Sequence, residues 1–326
     1  MTSADGQVAS SDSSARTRLD ATPFFRKVIL TATQNAMVAK GVRRYGMRLG
    51  AARFVAGETL DEAVVALRVL NEQGFVCNTT ILGEGVHDEA TARGVVTQYK
   101  ALLDRIKSEG LKCNVALKLT HLGLDLGEET AYRSVEEVIV HAAGLGNFVR
   151  MDMEESARVD ATLRIYKRLR AAGHDNTGTV LQSYLFRTEA DLADLLPLKP
   201  NLRFVKGAYL EQPEVAYTRK TDVDRNLMGL LERSLQEGGF TAVATHDERI
   251  IEHAIAYTDK HEIARDRFQF QMLYGIRPQL QRQLLERGYS VLIATPYGPD
   301  WYFYLMRRLA ERPANALFFA KSLIKR

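Results

Sequence analysis

The segment NFVRMDMEESARVDATLRIYKRLRAAGHDNTGTVLQSYL, residues 147–185, contains a complete strand–helix–strand unit. NFVRMDM and TGTVLQSYL are short strand-like runs, and ESARVDATLRIYKRLRAAG between them has a helical pattern. Short strands that alternate with helices are typical of parallel βαβ units. The segment therefore predicts a parallel sheet whose strands are joined by helices.

The same alternation extends along the chain from Thr59. A helix that opens with Thr59 and Glu62 as a capping box comes first, and eight strand-like runs follow, each with its own helix. Eight such units predict an α/β fold of the TIM type, a (β/α)8 barrel, and the length of 326 residues fits it. An open doubly wound sheet is the alternative. We predict a disordered tail over residues 1–22, a helical arm over 23–58 and the barrel over 59–326.

The composition is that of a globular protein, with 46% hydrophobic and 26% charged residues. A net charge of +4 without any run of Lys or Arg disfavours a nucleic-acid partner. Cys77 and Cys113 lie in apolar runs and indicate reduced core thiols in a cytoplasmic protein. Residues 1–20 have no apolar h-region, and no window of about 18 apolar residues predicts a membrane span.

Nearly every predicted strand ends on a polar or charged residue. Barrel enzymes place their sites at the C-terminal ends of the strands, so these residues are expected to meet at one rim. Each one alone is more often the start of a loop, but both signs of charge at one rim indicate a site. The strand-end residues, in chain order, are Glu84, Lys118, Asp152, Gln182, Arg203, Lys206, Thr245, His246, Asp247, Gln271, Ala294, Thr295, Pro296 and Tyr297.

Individual strand ends allow more than one interpretation. Lys118 in VALKLT needs an anion if it points into the barrel, but snorkelling to solvent or a structural pair with Asp152 would also satisfy it. KGAY (206–209) offers small residues where a flat group can approach the backbone. ATHD (244–247) contains metal-ligand types, but the chain has no HExxH motif, so we predict hydrogen bonding and no metal. No GxGxxG follows a strand, which disfavours a Rossmann site.

The stretch PYGPDWYFYLMRRLAERPAN, Pro296–Asn315, predicts a turn and then a helix that Pro313 ends. Arg307 and Arg308 are adjacent, and two guanidinium groups suit a small carboxylate better than ammonium groups do. The alternative is an exposed helix in which Glu311 pairs with either arginine.

With these residues assembled, the sequence resembles the proline dehydrogenase family. The matching motifs run through most of the chain: LGE from Leu82, LKLTHLGLDLG, RMDMEES, LQSYL, LRFVKGAYLE, ATHD, FQMLYGIR and the C-terminal stretch. The resemblance is to short monofunctional bacterial enzymes and to the dehydrogenase barrel of bifunctional proline utilisation proteins. It implies a distorted barrel that binds FAD and oxidises L-proline to Δ¹-pyrroline-5-carboxylate. The electrons would pass to a quinone, with contact to the inner face of a membrane.

The resemblance also implies roles for individual residues. Asp152 and Arg203 would be catalytic, with Arg203 near flavin N5, and Glu84 would gate the site by pairing with the first arginine of the Arg307–Arg308 pair. Substrate would be bound by Lys118, Leu273, Ala294, Tyr304, Arg307 and Arg308. Flavin would be bound by Met151, Gln182, Arg203, Lys206, Gly207, Ala208, Thr245 and His246, and Gln271 is added as a candidate cofactor ligand.

One position departs from the family pattern. The family usually has a tyrosine three residues before the tyrosine of PYG, and Ala294 stands there in IATPYG. In the family this tyrosine crowds the substrate near ring carbon four. Alanine would leave a larger space, so we hypothesise that 4-hydroxyproline or another substituted cyclic imino acid is accepted or preferred.

Two other classes compete with this interpretation. A Schiff-base aldolase barrel would use Lys118 or Lys206 as its nucleophile, but it leaves KGAY, Gln182 and the arginine pair without roles. A non-catalytic binding barrel is disfavoured by the many charged strand ends. The sequence leaves the oligomeric state open, and packing on the barrel is the expected position of the N-terminal arm.

Overall fold

The computed structural model describes residues 51–83 and 85–311, without the side chains of residues 307 and 309–311. These residues form a closed barrel of eight parallel strands in sequence order, and β8 pairs back onto β1 with Leu292 opposite Val76. Closure confirms the predicted barrel and makes the open-sheet alternative wrong. The strands are β1 (Val76–Ile81), β2 (Cys113–Leu117), β3 (Val149–Met151), β4 (Thr177–Gln182), β5 (Asn201–Val205), β6 (Phe240–Ala244), β7 (Phe268–Leu273) and β8 (Val291–Tyr297).

Among the described residues, one α-helix precedes β1 and one follows each strand. The helices are α1 (Leu60–Glu72), α2 (Glu89–Ser108), α3 (Glu128–Gly144), α4 (Val159–Ala171), α5 (Thr188–Leu195), α6 (Lys220–Glu237), α7 (Glu248–Lys260), α8 (Pro278–Glu286) and α9 (Trp301–Glu311). Within the described part of the chain, none of them is long and apolar enough to cross a membrane. The predicted tail over 1–22 and most of the predicted arm over 23–58 lie outside the described residues.

The barrel is distorted because α1, the helix before β1, covers the outer wall at β8, and α9, the helix after β8, does not. Helix α1 begins at the predicted capping box, in which Glu62 N donates to Thr59 Oγ1 at 3.3 Å and Thr59 N donates to Glu62 Oε2 at 3.2 Å. It packs against β1 and β8, which is the place of the eighth helix in a regular barrel. Helix α9 instead packs on Phe54, Val55 and Ile276 in a separate apolar cluster. It therefore lies at the C-terminal mouth of the barrel.

Backbone hydrogen bonds hold residues 51–58 against the end of β8 and the turn that follows it. Ala56 N donates to Pro296 O at 2.9 Å, and Gly298 N donates to Gly57 O at 3.1 Å. The backbone also passes so close to Gly275 that a Cβ there would lie 1.8 Å from the carbonyl oxygen of Arg53. Only glycine fits this contact, and its φ of +71° also favours glycine.

The barrel wall separates two environments. Outward strand residues join the helices in one large apolar core, which includes Cys77, Val115 and Met151. Inward residues are largely polar, and Asn78, Arg150, Arg203 and Gln271 are all buried. Buried polar groups need partners, so the hydrogen bonds inside the barrel decide the shape of the site.

Candidate active site

A large cavity opens at the C-terminal ends of the strands. Its volume is about 1170 Å³, and residues at or directly after the ends of all eight strands line it, together with Phe303, Tyr304 and Arg308 of α9. Ligand pockets commonly measure roughly 300–1,000 Å³. The cavity is therefore large enough for more than one small ligand.

Arg203 on β5 is held rigidly at the floor of this cavity. Its Nε donates to Gln271 Oε1 at 2.6 Å, its Nη1 to Asp152 Oδ1 at 2.9 Å and its Nη2 to Asn78 Oδ1 at 3.1 Å. Burial lowers the pKa of Arg203, while the charge of Asp152 opposes that shift. Three partners from β7, β1 and the end of β3 fix a cation that points toward the cavity.

A second arginine lies inside the barrel one layer below Arg203. Arg150 on β3 is 3% exposed, and its Nη1 donates to the carbonyl oxygens of Thr179 at 2.9 Å and Asn201 at 3.1 Å. Burial and the neighbouring Arg203 lower the pKa of Arg150 to about 9, so it remains charged at neutral pH. Gly178 makes room for it, because a Cβ there would lie 2.9 Å from Arg150 Nη1.

Charged side chains also cluster at the rim near β5 and β6. Lys206 Nζ lies 2.6 Å from Asp224 Oδ1 and 2.9 Å from Asp247 Oδ2, and Lys220 and Arg249 bind the same two carboxylates. Burial acts to raise the pKa of Asp247, but hydrogen bonds from Arg249 and Lys206 outweigh it and hold that pKa well below its ordinary range. Three cations around two carboxylates leave this rim positive, which suits an anionic group.

Two further residues at this side of the cavity are set by backbone contacts. Leu273 N donates to His246 Nε2 at 2.9 Å, so neutral His246 carries its proton on Nδ1. Gly207 has φ +112°, and a Cβ there would lie 2.2 Å from Cδ1 of the Tyr184 ring. The bare backbone of Gly207 therefore lines the cavity on a rigid aromatic support.

The opposite side of the cavity, near β8, β1 and β2, is formed by the predicted substrate residues. Ala294 on β8 is opposite Leu273 on β7 and Asn78 on β1, and it is half-buried. The guanidinium carbon of Arg308 lies 5.2 Å from the centre of the Tyr304 ring, which orients the side chain. Lys118 follows β2 at the same side.

The cavity brings most of the predicted residues together. Met151 is different, because it lies in the outer core and its carbonyl accepts a hydrogen bond from Thr179 Oγ1 at 3.3 Å. Glu84 and the side chain of Arg307 lie outside the described residues. The predicted residues that line the cavity are Lys118, Asp152, Gln182, Arg203, Lys206, Gly207, Ala208, Thr245, His246, Gln271, Leu273, Ala294, Tyr304 and Arg308.

Sequence reasoning missed several residues of the site. Tyr209 of KGAY and Phe303 line the cavity, and Arg277 Nη1 donates to His246 O at 2.8 Å. Arg150, which contacts the barrel interior but not the cavity, could also have been found, because alternate residues of an extended segment face the same side and Asp152 comes two residues later. Asn78 carried no comparable signal. Over residues 51–83 and 85–311, no group of three or more His, Cys, Asp or Glu is placed to hold a metal ion.

The comparison with known families agrees with this geometry. A family model described as proline dehydrogenase matches residues 63–321. The chain belongs to the proline dehydrogenase family. It is 41% identical to proline dehydrogenase 1 of Bacillus subtilis (strain 168) over 303 residues, which cover 93% of this chain and 100% of that protein. It is also 41% identical to the proline dehydrogenase of Deinococcus radiodurans over 306 residues, with 93% and 98% covered. These relatives support proline dehydrogenase activity.

Solved structures support the fold. The proline utilization A protein (PutA) of Bdellovibrio bacteriovorus, inactivated by N-propargylglycine, superposes with a TM-score of 0.78 at 23% identity. The match covers 88% of this chain and 36% of that much longer one. The distorted barrel is thus the fold that this family shares with part of a larger protein.

Proposed function

We propose that this protein oxidises L-proline to Δ¹-pyrroline-5-carboxylate with FAD as its bound cofactor and a quinone as the electron acceptor. The observation that carries the proposal is the immobilised Arg203 at the floor of a cavity too large for a small imino acid alone, in a chain of this family. FAD would supply the acceptor for the two electrons that leave the substrate.

The residues present fit FAD. The cavity of about 1170 Å³ exceeds the usual size of a ligand pocket, as a dinucleotide together with a substrate requires. The backbone at Gly207 permits close approach of a flat group, and a side chain there would collide with Tyr184. Lys206, Lys220 and Arg249 make one rim positive, which suits phosphates. The residues proposed to hold FAD are Gln182, Arg203, Lys206, Gly207, Ala208, Thr245, His246 and Gln271. Met151 is withdrawn from the predicted set, because its side chain lies in the outer core.

The substrate is proposed to bind at the side of β8, β1 and β2. Lys118, Arg307 and Arg308 would hold the carboxylate, and Tyr304 and Leu273 would pack against the ring. A clamp of this kind fixes the ring carbon in place before reaction and removes much of the entropic cost of positioning. Glu84 would close the site by pairing with Arg307.

Arg203 and Asp152 are proposed to act together. Asp152 and the amides of Asn78 and Gln271 orient the guanidinium, so its charge is aimed before the reaction begins. A preorganised cation stabilises negative charge that develops at its position without any cost of reorientation. Arg203 would in this way favour electron transfer to the cofactor.

The aldolase alternative receives no support from Lys206, one of its two candidate nucleophiles. Lys206 Nζ is held by Asp224 and Asp247 at 2.6 and 2.9 Å, so its nitrogen is engaged and is badly placed to attack a carbonyl. The proposed function gives a role to the same lysine at the phosphate side of the cofactor.

A quinone acceptor is proposed from the family resemblance, with the protein in the cytoplasm and in contact with the inner face of a membrane. Phe303 supports an apolar acceptor, because this side chain is 51% exposed and lines the cavity. Reoxidation by a soluble quinone analogue after reduction by proline would test the acceptor directly.

The absorbance spectrum of the purified protein tests the main proposal. Flavin bands that bleach when L-proline is added without oxygen are the expected result. Bands that persist with proline and with 4-hydroxyproline would keep the cofactor and refute the substrate. A colourless protein that cannot be reconstituted with FAD would refute the cofactor as well.

We further propose that the enzyme accepts or prefers 4-hydroxyproline. Ala294 is half-buried, lines the cavity and lies between Leu273 and Asn78, so no ring or hydroxyl from this position crowds the substrate. Substitution Ala294→Tyr should lower the ratio of kcat/KM for 4-hydroxyproline over proline about tenfold or more, since a pocket that excludes one added group discriminates by roughly that factor. Ala294→Ser is the matched control, because it adds little volume. An unchanged ratio in Ala294→Tyr would refute the preference.

A further inference from the structure

Arg150 is a buried charged residue inside the barrel for which the proposed reaction has no direct use. It lies in β3, two residues before Asp152, so its backbone is about 7 Å further from the C-terminal end of the barrel at the usual rise of a strand. It does not line the cavity. Its guanidinium therefore has no access to a substrate.

The hydrogen bonds of Arg150 all go to neutral groups, and the charge of Asp152 offsets its own charge only in part, because Asp152 is shared with Arg203. Its partners are the carbonyl oxygens of Thr179 and Asn201 and the side-chain Oδ1 of Asn201 at 2.5 Å, all of them neutral. Among the described residues no carboxylate forms an ion pair with it. The nearby carboxylate, Asp152, is bound to Arg203 at 2.9 Å. Taken together, Arg150, Arg203 and Asp152 carry one net positive charge.

A buried cation without a paired anion destabilises a fold, and an apolar side chain of similar volume would fill the same space at lower cost. The structure makes special provision for it, because Gly178 clears space next to Nη1 and the Phe148 ring lies 5.1 Å from the guanidinium carbon. The charge itself, rather than the volume, is what an apolar replacement would remove.

We propose that Arg150 is an electrostatic tuning residue that would raise the reduction potential of FAD bound in the cavity. The inference rests on the proposed function, because it requires bound FAD. Proline loses two electrons and two protons when its ring C–N bond becomes an imine. Bound FAD would supply the acceptor for both electrons and one of the protons, the second proton would go to solvent, and the site would gain one negative charge. A fixed cation in a poorly hydrated interior stabilises that added charge and favours the reduced cofactor.

The midpoint potential of the FAD-loaded protein, measured without substrate against redox dyes, tests the proposal. Arg150→Gln removes the charge, and Asn201→Asp neutralises it by placing a carboxylate on the same guanidinium in an isosteric side chain. Both variants should shift the equilibrium toward oxidised FAD at least tenfold, which is about 30 mV for a two-electron couple. Arg150→Lys retains the charge and should leave the potential unchanged.

Arg164→Gln is the matched control. This substitution removes an arginine from the outer surface of α4, where its side chain is 59% exposed and pairs with Glu128, so water screens the change. Its potential should equal that of the wild type. If Arg150→Gln fails to fold, Asn201→Asp and Arg150→Lys still decide the question.

The outcomes separate the inference from the proposed function. The inference would be overturned if Arg150→Gln and Asn201→Asp kept the wild-type potential and only melted at lower temperatures. Arg150 would then have a structural role alone. Failure of the wild type to bind FAD would overturn the proposed function and the inference together.

Discussion

Substitution of Gly207 by alanine tests the contact that shapes the cofactor side of the cavity. Gly207 follows β5 with φ +112°, a conformation that side chains rarely adopt, and an alanine Cβ would lie 2.2–2.4 Å from three atoms of the Tyr184 ring. The ring has little freedom to retreat, because Tyr184 is 8% exposed and its hydroxyl donates to Glu211 Oε1 at 3.3 Å. The backbone at residue 207 must move instead.

The cost follows from these two features. A strained backbone conformation costs about 1–3 kcal/mol, and overpacking a side chain against a fixed neighbour costs a further ~1–3 kcal/mol. Together they predict that Gly207→Ala lowers the free energy of unfolding by about 2–6 kcal/mol. For a chain of this length that corresponds to a fall in melting temperature of roughly 3–10 °C. Displacement of the backbone that lines the cavity should also weaken FAD binding.

Thermal unfolding and the FAD content of the purified variant are the measurements. The control is Gly229→Ala on α6, where nothing lies within 4 Å of the added Cβ. Alanine replaces glycine inside a helix there, so the free energy of unfolding should rise by about 0.5–1 kcal/mol. A Gly207→Ala protein that melts with the wild type and retains the same amount of FAD would refute the reasoning.

Two further predictions concern groups with shifted pKa values. The pKa of Asp247 lies below its ordinary 3.8, because hydrogen bonds from Arg249 and Lys206 outweigh burial, so its ionised form stabilises the fold fully above pH ~5 and less as the pH falls through 3.8 toward the native value. The destabilisation caused by Asp247→Asn should therefore be constant from about pH 7 to 5 and shrink in more acid buffer, and a cost that does not vary with pH would contradict this. Burial raises the pKa of Cys77 to about 12 and raises that of Cys113 well above its ordinary value, so neither thiol should react with a thiol reagent at neutral pH until denaturant is added. Rapid labelling of the native protein would show that the core opens.

Several features of the protein follow from local sequence alone. The alternation of strand-like runs with amphipathic helices predicted the closed barrel, and Thr59 with Glu62 predicted the start of α1, because both patterns depend on residues only a few positions apart. The rule that barrel sites lie at strand ends brought Lys118, Arg203 and Lys206 to one cavity. The family motifs, which are equally local, led to proline dehydrogenase.

Other features needed the tertiary structure. The partner of Arg203 on β1 is Asn78, 125 positions away, and the pairing of Lys206 with Asp224 joins a strand end to a helix. Such contacts depend on strand register and barrel closure, which no local period encodes. Tertiary packing also decides that α9 lies at the mouth of the barrel while α1 covers the wall beside β8. These positions depend on contacts between residues far apart in the sequence. The net charge beneath the floor became visible only when the folded barrel placed Arg150 among neutral partners, because a charge is compensated by its neighbours in space and not by those in sequence.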